Sequence, residues 1–223
     1  MNTEPKNPQQ RSDARRAQIL NAATDCFRTY GFHGASIARI SEASGMSPGH
    51  IYHYFENKEA IIEAIVTQDL ERLLILNDEL RAAYDIKGTF IERAAEGVHD
   101  HLDLQSAGLQ LEIMAEAARN PRVATFVRAA DRSCVASFHA TLRSLRRAAG
   151  HEDSETNIIG MGEVIAAMFE GLLIRVIRNP DIDKTLVTRM FRKVIHEMLS
   201  QPVQVDVDVK SESDMAGSME REV

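Results

Sequence analysis

Four stretches of this sequence carry residue types that could do chemistry, and three of them lack the partners that chemistry needs. Gly45-Met46-Ser47-Pro48-Gly49 has the G-x-S-x-G spacing of a hydrolase nucleophile. That serine must follow an apolar strand inside a parallel sheet, whereas here a short polar-faced helical stretch precedes it, so Ser47 reads as a helix cap. Glu96 and His99 have the E-x-x-H spacing of helical di-iron centres, which need a second such motif and two more carboxylates. No other His in the chain has an acidic residue three positions earlier. His99 and His101 stand roughly 200° apart around a helix and cannot chelate together. Gly160-Met161-Gly162 opens like a dinucleotide loop but lacks the preceding strand and the third Gly. Cys26 and Cys134 are too few for a disulfide framework or a Cys-based zinc site. The sequence predicts no catalytic residues, no metal site and no cofactor.

The fourth stretch, Ser36 to Phe55, holds together. Two short helical patterns, 36–44 and 48–55, are joined by a tight turn containing Gly45, which is helix-turn-helix spacing. In the second, Ile51 and Phe55 are i, i+4 and can pack inward. At roughly 100° per residue, His53 then lies opposite, with Gly49 and His50 beside it and Tyr52 and Tyr54 on the flanks. Small residues let a backbone approach a groove, Tyr hydroxyls reach phosphates, and His can meet base edges. Lys58 adds a cation at the next helix start. The same spacing also suits a small helical corner with no ligand.

Helical periodicity must position these residues, because strand signals are nearly absent. Ile19, Ala22, Ala23, Cys26, Phe27 and Tyr30 mark an amphipathic helix over 13–30, stopped by Gly31. Ser47 caps the third helix with Pro48 at its first position, and Asn57 caps a fourth with Glu59 in its first turn. That fourth helix is apolar on several sides (Ile61, Ile62, Ile65, Val66, Leu70, Leu73, Leu74), which predicts a buried spine. Further helices are expected near 88–104, 106–118, 121–149, 155–178 and 183–199, with breaks at Gly88, Asn120-Pro121, Gly150 and Asn179-Pro180. The expected organisation is a flexible arm over 1–12, a helix-turn-helix head over 13–58, a helical body over 59–200, and an acidic disordered tail over 201–223. Val203, Val205, Val207 and Val209 alternate with polar residues as an edge strand would, but no second strand is there to pair with.

Composition bounds the partners. The chain has 223 residues, 44% of them hydrophobic, and a net charge of −7. To Lys58 there are seven basic and five acidic residues, so a mildly basic head sits on an acidic body. No uninterrupted apolar run reaches the roughly 18 residues of a spanning helix, and Met1 to Arg16 is polar where a signal peptide would be apolar. These features predict a soluble cytoplasmic protein without a membrane partner.

Residues 13–62 resemble the DNA-binding head of the TetR family of bacterial transcriptional regulators. The resemblance is carried by Ile19-Leu20-Asn21-Ala22-Ala23, Phe27, Tyr30-Gly31-Phe32 and Ser36-Ile37-Ala38-Arg39-Ile40-Ser41. It continues through Ala43-Ser44-Gly45-Met46-Ser47, Ile51-Tyr52-His53-Tyr54-Phe55 and Asn57-Lys58-Glu59. It implies an all-α fold, a three-helix head with a larger C-terminal ligand-binding and dimerisation domain, a homodimer, and a double-stranded DNA operator. Its DNA contacts would fall on Ser36, Ser47, Gly49, His50, Tyr52, His53, Tyr54 and Lys58. Arg39 joins them, although it stands where an acidic residue is common, and Ala38 stands where many members have a basic one.

The C-terminal stretch Phe169-Glu170-Gly171-Leu172-Leu173, with Arg175 and Arg178-Asn179-Pro180, resembles the family's penultimate helix, which commonly builds the dimer bundle. Apolar residues on more than one side of 155–178 favour the same reading, with Gly162 and Gly171 allowing close approach. Phe90, Met114, Phe126, Phe138, Met161, Met168 and Phe169 form a soft set suited to a small hydrophobic effector. Glu112, Glu116, Glu163 and Glu170 lie among them. Either Arg119 and Arg175 or solvent satisfy these acids, or one receives a lipophilic cation, which would make the chain a repressor of an efflux pump. The alternatives are a metabolic regulator with a neutral or anionic ligand, and a helical small-molecule-binding protein that does not bind DNA.

Overall fold

In the computed structural model, residues 7–203 are described and form nine helices, with no strand among them. The chain runs α1 (Pro8–Gly34), α2 (Ile37–Ser44), α3 (Pro48–Tyr54), α4 (Lys58–Ala82), α5 (Ile86–His101), α6 (Leu104–Arg119), α7 (Pro121–Ala148), α8 (Glu155–Arg178) and α9 (Lys184–Ser200). The fold class is the expected all-α arrangement.

Side-chain caps set most of these boundaries. Ser36, Ser47, Asn57, Asp85, Asp103, Asn120, Ser154 and Asp183 each accept a backbone N–H in the first turn of the following helix. Three starts depart from expectation: the Asp85 and Asp103 caps begin α5 and α6 two residues early, at Ile86 and Leu104, so that Gly88, expected as a break, lies inside α5, and α1 starts earlier still. Asn7 accepts the Gln9 N–H at 3.1 Å and Pro8 occupies the first helical position, so α1 begins five residues before 13. Residues 8–12, expected in a flexible arm, are helical; residues 1–6 lie outside the described residues, as does the expected tail from 204 onward. Gly31 breaks α1 as predicted, with φ 69° and ψ 170°, before one more turn to Gly34. Gly45 closes α2 in the left-handed region, φ 65°, its N–H reaching the Ser41 and Glu42 carbonyls.

Two cores result. The first packs Ile19, Phe27, Ile40, Ile51 and Phe55 of the head against Ile61, Ile62 and Ile65 of α4, Leu109 and Ile113 of α6, and Val123 of α7. Ile40 and Ile51 are fully buried, each contributing about 1.5–3 kcal/mol of hydrophobic stabilisation. This core runs straight across residues 58 and 59. The second core gathers Leu80, Phe90, Val98, Leu142, Leu145, Ile158, Met161, Ile165, Leu172, Phe191 and Ile195. Helix α4 bridges the two but is not the buried spine its sequence suggests. Its ends are buried, while Leu73 and Ile75 in between are 44% and 58% exposed. It is tied to α7 through Asn77, whose Oδ1 accepts from the Thr141 hydroxyl at 2.7 Å, and through Arg81, which donates to the Ser137 carbonyl at 3.0 Å.

Helix α8 is long and apolar enough, by length and composition, to cross a membrane. In the fold it packs on α5, α6 and α7, placing Ile158, Ile165, Leu172 and Val176 in the second core. Gly162 serves that internal packing rather than a dimer contact. A Cβ there would stand 2.6 Å from His139 Nε2 on α7. Gly160 and Gly171 have nothing within 4 Å of that position.

Candidate nucleic-acid interface

Helix α3 is the second short helix of the head and follows the Gly45-Met46-Ser47 turn. Ile51 is buried on its inner side and Phe55 closes its end, both in the first core. That leaves Gly49, His50, Tyr52 and His53 exposed and Tyr54 half-buried. His50 stacks on Tyr54 with ring centres 5.5 Å apart and planes 16° from parallel, and His53 meets the same ring edge-on at 5.2 Å. Tyr54 thus holds both imidazoles in place. Among the described residues, no atom outside the helix's own backbone and the adjoining residues lies within 4 Å of where a Gly49 Cβ would stand, which leaves the space over that backbone open. Ser36 and Ser47 are exposed, and each hydroxyl accepts the N–H three residues on, from Arg39 at 3.2 Å and His50 at 3.3 Å.

Two members of the expected set are held differently. The Arg39 guanidinium lies over the Tyr30 ring at 4.1 Å, which fixes the arginine against α1 while leaving it exposed. Lys58 turns inward. Its ammonium donates to the Phe32 carbonyl at 2.6 Å and sits 4.4 Å from the Phe32 ring centre. Burial pulls its pKa below the ordinary lysine value, against the opposing charges of Glu59 and Glu116. The sequence expects a DNA contact from Lys58; here its ammonium braces α4 against the α1 turn.

That turn is gripped from its other side by α6. Glu112 accepts the Phe32 N–H at 2.6 Å. Glu116, whose side chain is 2% exposed, meets His33 Nε2 at 3.1 Å, Arg119 Nε at 2.9 Å and Asn120 Nδ2 at 3.0 Å. Burial alone would raise the Glu116 pKa, but the hydrogen bonds from Asn120 and Arg119 and the nearby His33 and Arg119 charges outweigh it. The carboxyl is held below the usual glutamate value. Sequence spacing marks Gly31 and Asn120 only as breaks and does not pair the α1 turn with Glu112 and Glu116, because the turn and α6 lie about eighty residues apart in the chain.

The remaining effector candidates fall in separate places. Phe90, Phe138, Met161, Met168 and Phe169 belong to the second core, with Phe90 stacked on Phe138 at 6.1 Å. Phe126 packs on the first core, Met114 is 47% exposed, and Glu163 and Glu170 face solvent. Two grooves of about 350 Å³ lie elsewhere. One runs between Asp25, Arg28 and Thr29 of α1 and Leu104, Gln105 and Gly108 of α6. The other lies between the α3–α4 corner and α7, where Phe126 shares the wall with Glu56, Glu59 and Arg122.

A family profile of bacterial regulatory proteins of the tetR family matches residues 19–65, and one of the BetI-type transcriptional repressor C-terminal domain matches 89–200. The chain belongs to the TetR family. It is 39% identical over 125 residues to the HTH-type transcriptional regulator UidR of Escherichia coli strain K12. That match takes in 55% of this chain and 61% of UidR, so it spans less than two thirds of that relative's length. The HTH-type transcriptional regulator BetI of Klebsiella pneumoniae strain 342 is 26% identical over 194 residues, covering 84% of this TetR-family chain and 95% of BetI. Among solved structures, Salmonella enterica GusR superposes with a TM-score of 0.69 at 31% identity, over 84% of this chain and 94% of GusR.

Proposed function

We propose that this protein is a ligand-responsive transcriptional repressor whose α3 enters the major groove of a palindromic operator as one half of a homodimer. The observation that carries the reading is the outer face of α3: Gly49, His50, Tyr52 and His53 stand clear of every core, and the space over Gly49 is open. On this reading His50 and His53 meet base edges, Tyr52 and the Ser36 and Ser47 hydroxyls meet phosphates, and Tyr54 orients the two imidazoles. Head and body act as the DNA-binding and effector-binding parts.

The roles separate experimentally. Tyr52→Phe removes a phosphate contact and should weaken operator and random DNA alike. His53→Ala should cost roughly 1–3 kcal/mol at particular base pairs and leave random DNA unaffected. Binding titrations against a panel of single-base operator variants measure both. Equal losses for His53→Ala on operator and random DNA would remove His53 from the groove.

Dimerisation through α8 and α9 is supported by what they leave uncovered. Ile159, Val164, Ile174 and Ile177 of α8 and Leu186, Met190 and Val194 of α9 are each 42–51% exposed, an apolar area that marks an interface. Leu186, Met190 and Val194 repeat at i, i+4, i+8 on one face. Met190→Glu would place an unpaired charge in the proposed seam, and sedimentation at micromolar concentration should show a monomer where the unaltered protein is a dimer.

For the effector, side-chain pairing favours a neutral or anionic compound of a metabolic pathway over a lipophilic cation inducing an efflux pump. Glu112 and Glu116 are occupied by Phe32, His33, Arg119 and Asn120, and Glu163 and Glu170 point away from the second core. Titrating cationic, neutral and anionic hydrophobes against the protein–operator complex decides it; release by cations alone would overturn this choice.

A further inference from the structure

Helix α8 exposes acids inside an apolar face. Ile159, Val164, Ile174 and Ile177 are uncovered on its outer side, and Glu163 and Glu170 stand exposed among them. The two glutamates are seven residues apart, so they lie within about 20° of each other around the axis and about 10.5 Å apart along it. Arg175 and Arg178 follow five and eight residues after Glu170, off the i+3 and i+4 spacings at which helix neighbours pair. Among the described residues, neither glutamate makes an ion pair or a side-chain hydrogen bond.

Helix α9 carries the complementary row. Arg189, Arg192, Lys193 and His196 are i, i+3, i+4 and i+7, a strip about 100° wide and as long as the acid row. All four are exposed, and none has a side-chain partner among the described residues. The strip borders the uncovered Leu186, Met190 and Val194, with Glu197 on that apolar side one turn past Lys193. Within one protomer the two helices meet through the Phe169 and Phe191 rings, 4.7 Å apart, and the charged rows do not pair. A carboxylate covered by an apolar seam is costly unless a cation meets it. Charges flanking an apolar seam are also the means by which paired helices choose a partner.

We infer that the acid row of α8 and the cation row of α9 form a charge key between two copies of this chain, each acid row facing the cation row of the other copy. This key presupposes the α8–α9 dimer proposed above and adds what selects the partner. Apolar area alone accepts any helical face of similar shape, whereas the rows reject one whose charges do not complement them. The occupant is a second copy because a two-fold axis brings the same patch of both chains together, and a patch bearing both rows then satisfies itself twice.

Reversing each row separately tests this. E163K/E170K sets lysines against the partner's cations, and R189E/R192E/K193E sets glutamates against the partner's acids. In sedimentation at about 0.1 M salt, each variant alone should dimerise roughly 100-fold more weakly than the unaltered protein. Salt at about 1 M should return most of that loss, because the screening length falls from about 10 to about 3 Å. An equimolar mixture should form a hybrid in which every acid row again faces a basic one, with affinity within about tenfold of the unaltered dimer; native mass spectrometry weighs the hybrid. E163Q/E170Q, which keeps the side-chain shape, should weaken dimerisation roughly tenfold, and no change there overturns the key even if a reversed variant fails to fold. Reversed variants that dimerise as tightly as the unaltered protein overturn the key and leave the dimer. Reversed variants that melt like the unaltered protein but form no hybrid overturn the facing of the rows. A monomeric unaltered protein overturns the dimer reading and the key together.

Discussion

Replacing Arg146 with Ala should destabilise the protein by about 3–5 kcal/mol, the largest effect expected of any single side chain here. Arg146 is 1% exposed and its partner Asp153 6%. Its Nε and Nη2 donate to the two Asp153 oxygens at 2.5 and 3.1 Å. Its Nη1 reaches the carbonyls of Met198, Leu199 and Gln201 at 3.1, 2.9 and 2.8 Å. One guanidinium therefore neutralises a buried carboxylate and satisfies carbonyls at the end of α9 that no helical N–H can reach. The alanine variant would leave Asp153 buried without a counter-charge and those carbonyls without a donor. Asp153→Asn should cost less, because an amide keeps a hydrogen-bonding oxygen and carries no charge to bury. Urea unfolding of both variants and of the double variant R146M/D153N measures the pair. The double variant should recover part of the loss, since a buried pair replaced as a unit costs less than one that is broken.

The second large effect should come from Gly31. Its φ 69° and ψ 170° lie in a region that is essentially glycine-only and costs other residues on the order of 1–3 kcal/mol. A Cβ there would also come within 3.1 Å of Glu112 Oε1, the atom that accepts the Phe32 N–H. Gly31→Val should lower stability by at least that strain and speed amide exchange at Phe32, as the carboxylate is pushed aside. Glu112→Gln should speed the same exchange with little backbone strain, separating the lost charge from the altered turn. The neighbouring Glu116 adds a pH signature. Its folded pKa is depressed, so its contribution is fully present above the ordinary glutamate value and lost as pH falls through the lowered one. A stability profile in acid should flatten in Glu116→Gln.

Local chemistry made much of this protein legible in its sequence. Eight of the caps are short polar residues whose hydrogen bonds reach only two or three positions along the chain, so the starts of α2, α3, α4, α7, α8 and α9 are visible in the sequence pattern, whereas Asp85 and Asp103 cap α5 and α6 two residues before the starts the pattern suggests. The inward turn of Ile51 and Phe55, and with it the outward set of Gly49, His50, Tyr52 and His53, followed from the helical period alone. The start of α1 was misplaced for a related reason: Asn7-Pro8 is a valid cap and first turn, but no apolar periodicity follows it for ten residues, and periodicity located the other helices.

Tertiary structure decided what depends on residues distant in sequence. Lys58 looks like an interface cation until the Phe32 carbonyl, 26 residues away, takes its ammonium. Glu112 and Glu116 look like effector ligands until the α1 turn and Asn120 occupy them. Gly162 looks free for a dimer seam until His139 fills the space beside it. In each case the residue type is compatible with two partners, and only the packing of one helix against another determines which partner is within about 3 Å. Hydrogen bonds and steric contacts act only at that range, whereas the sequence records separation along the chain.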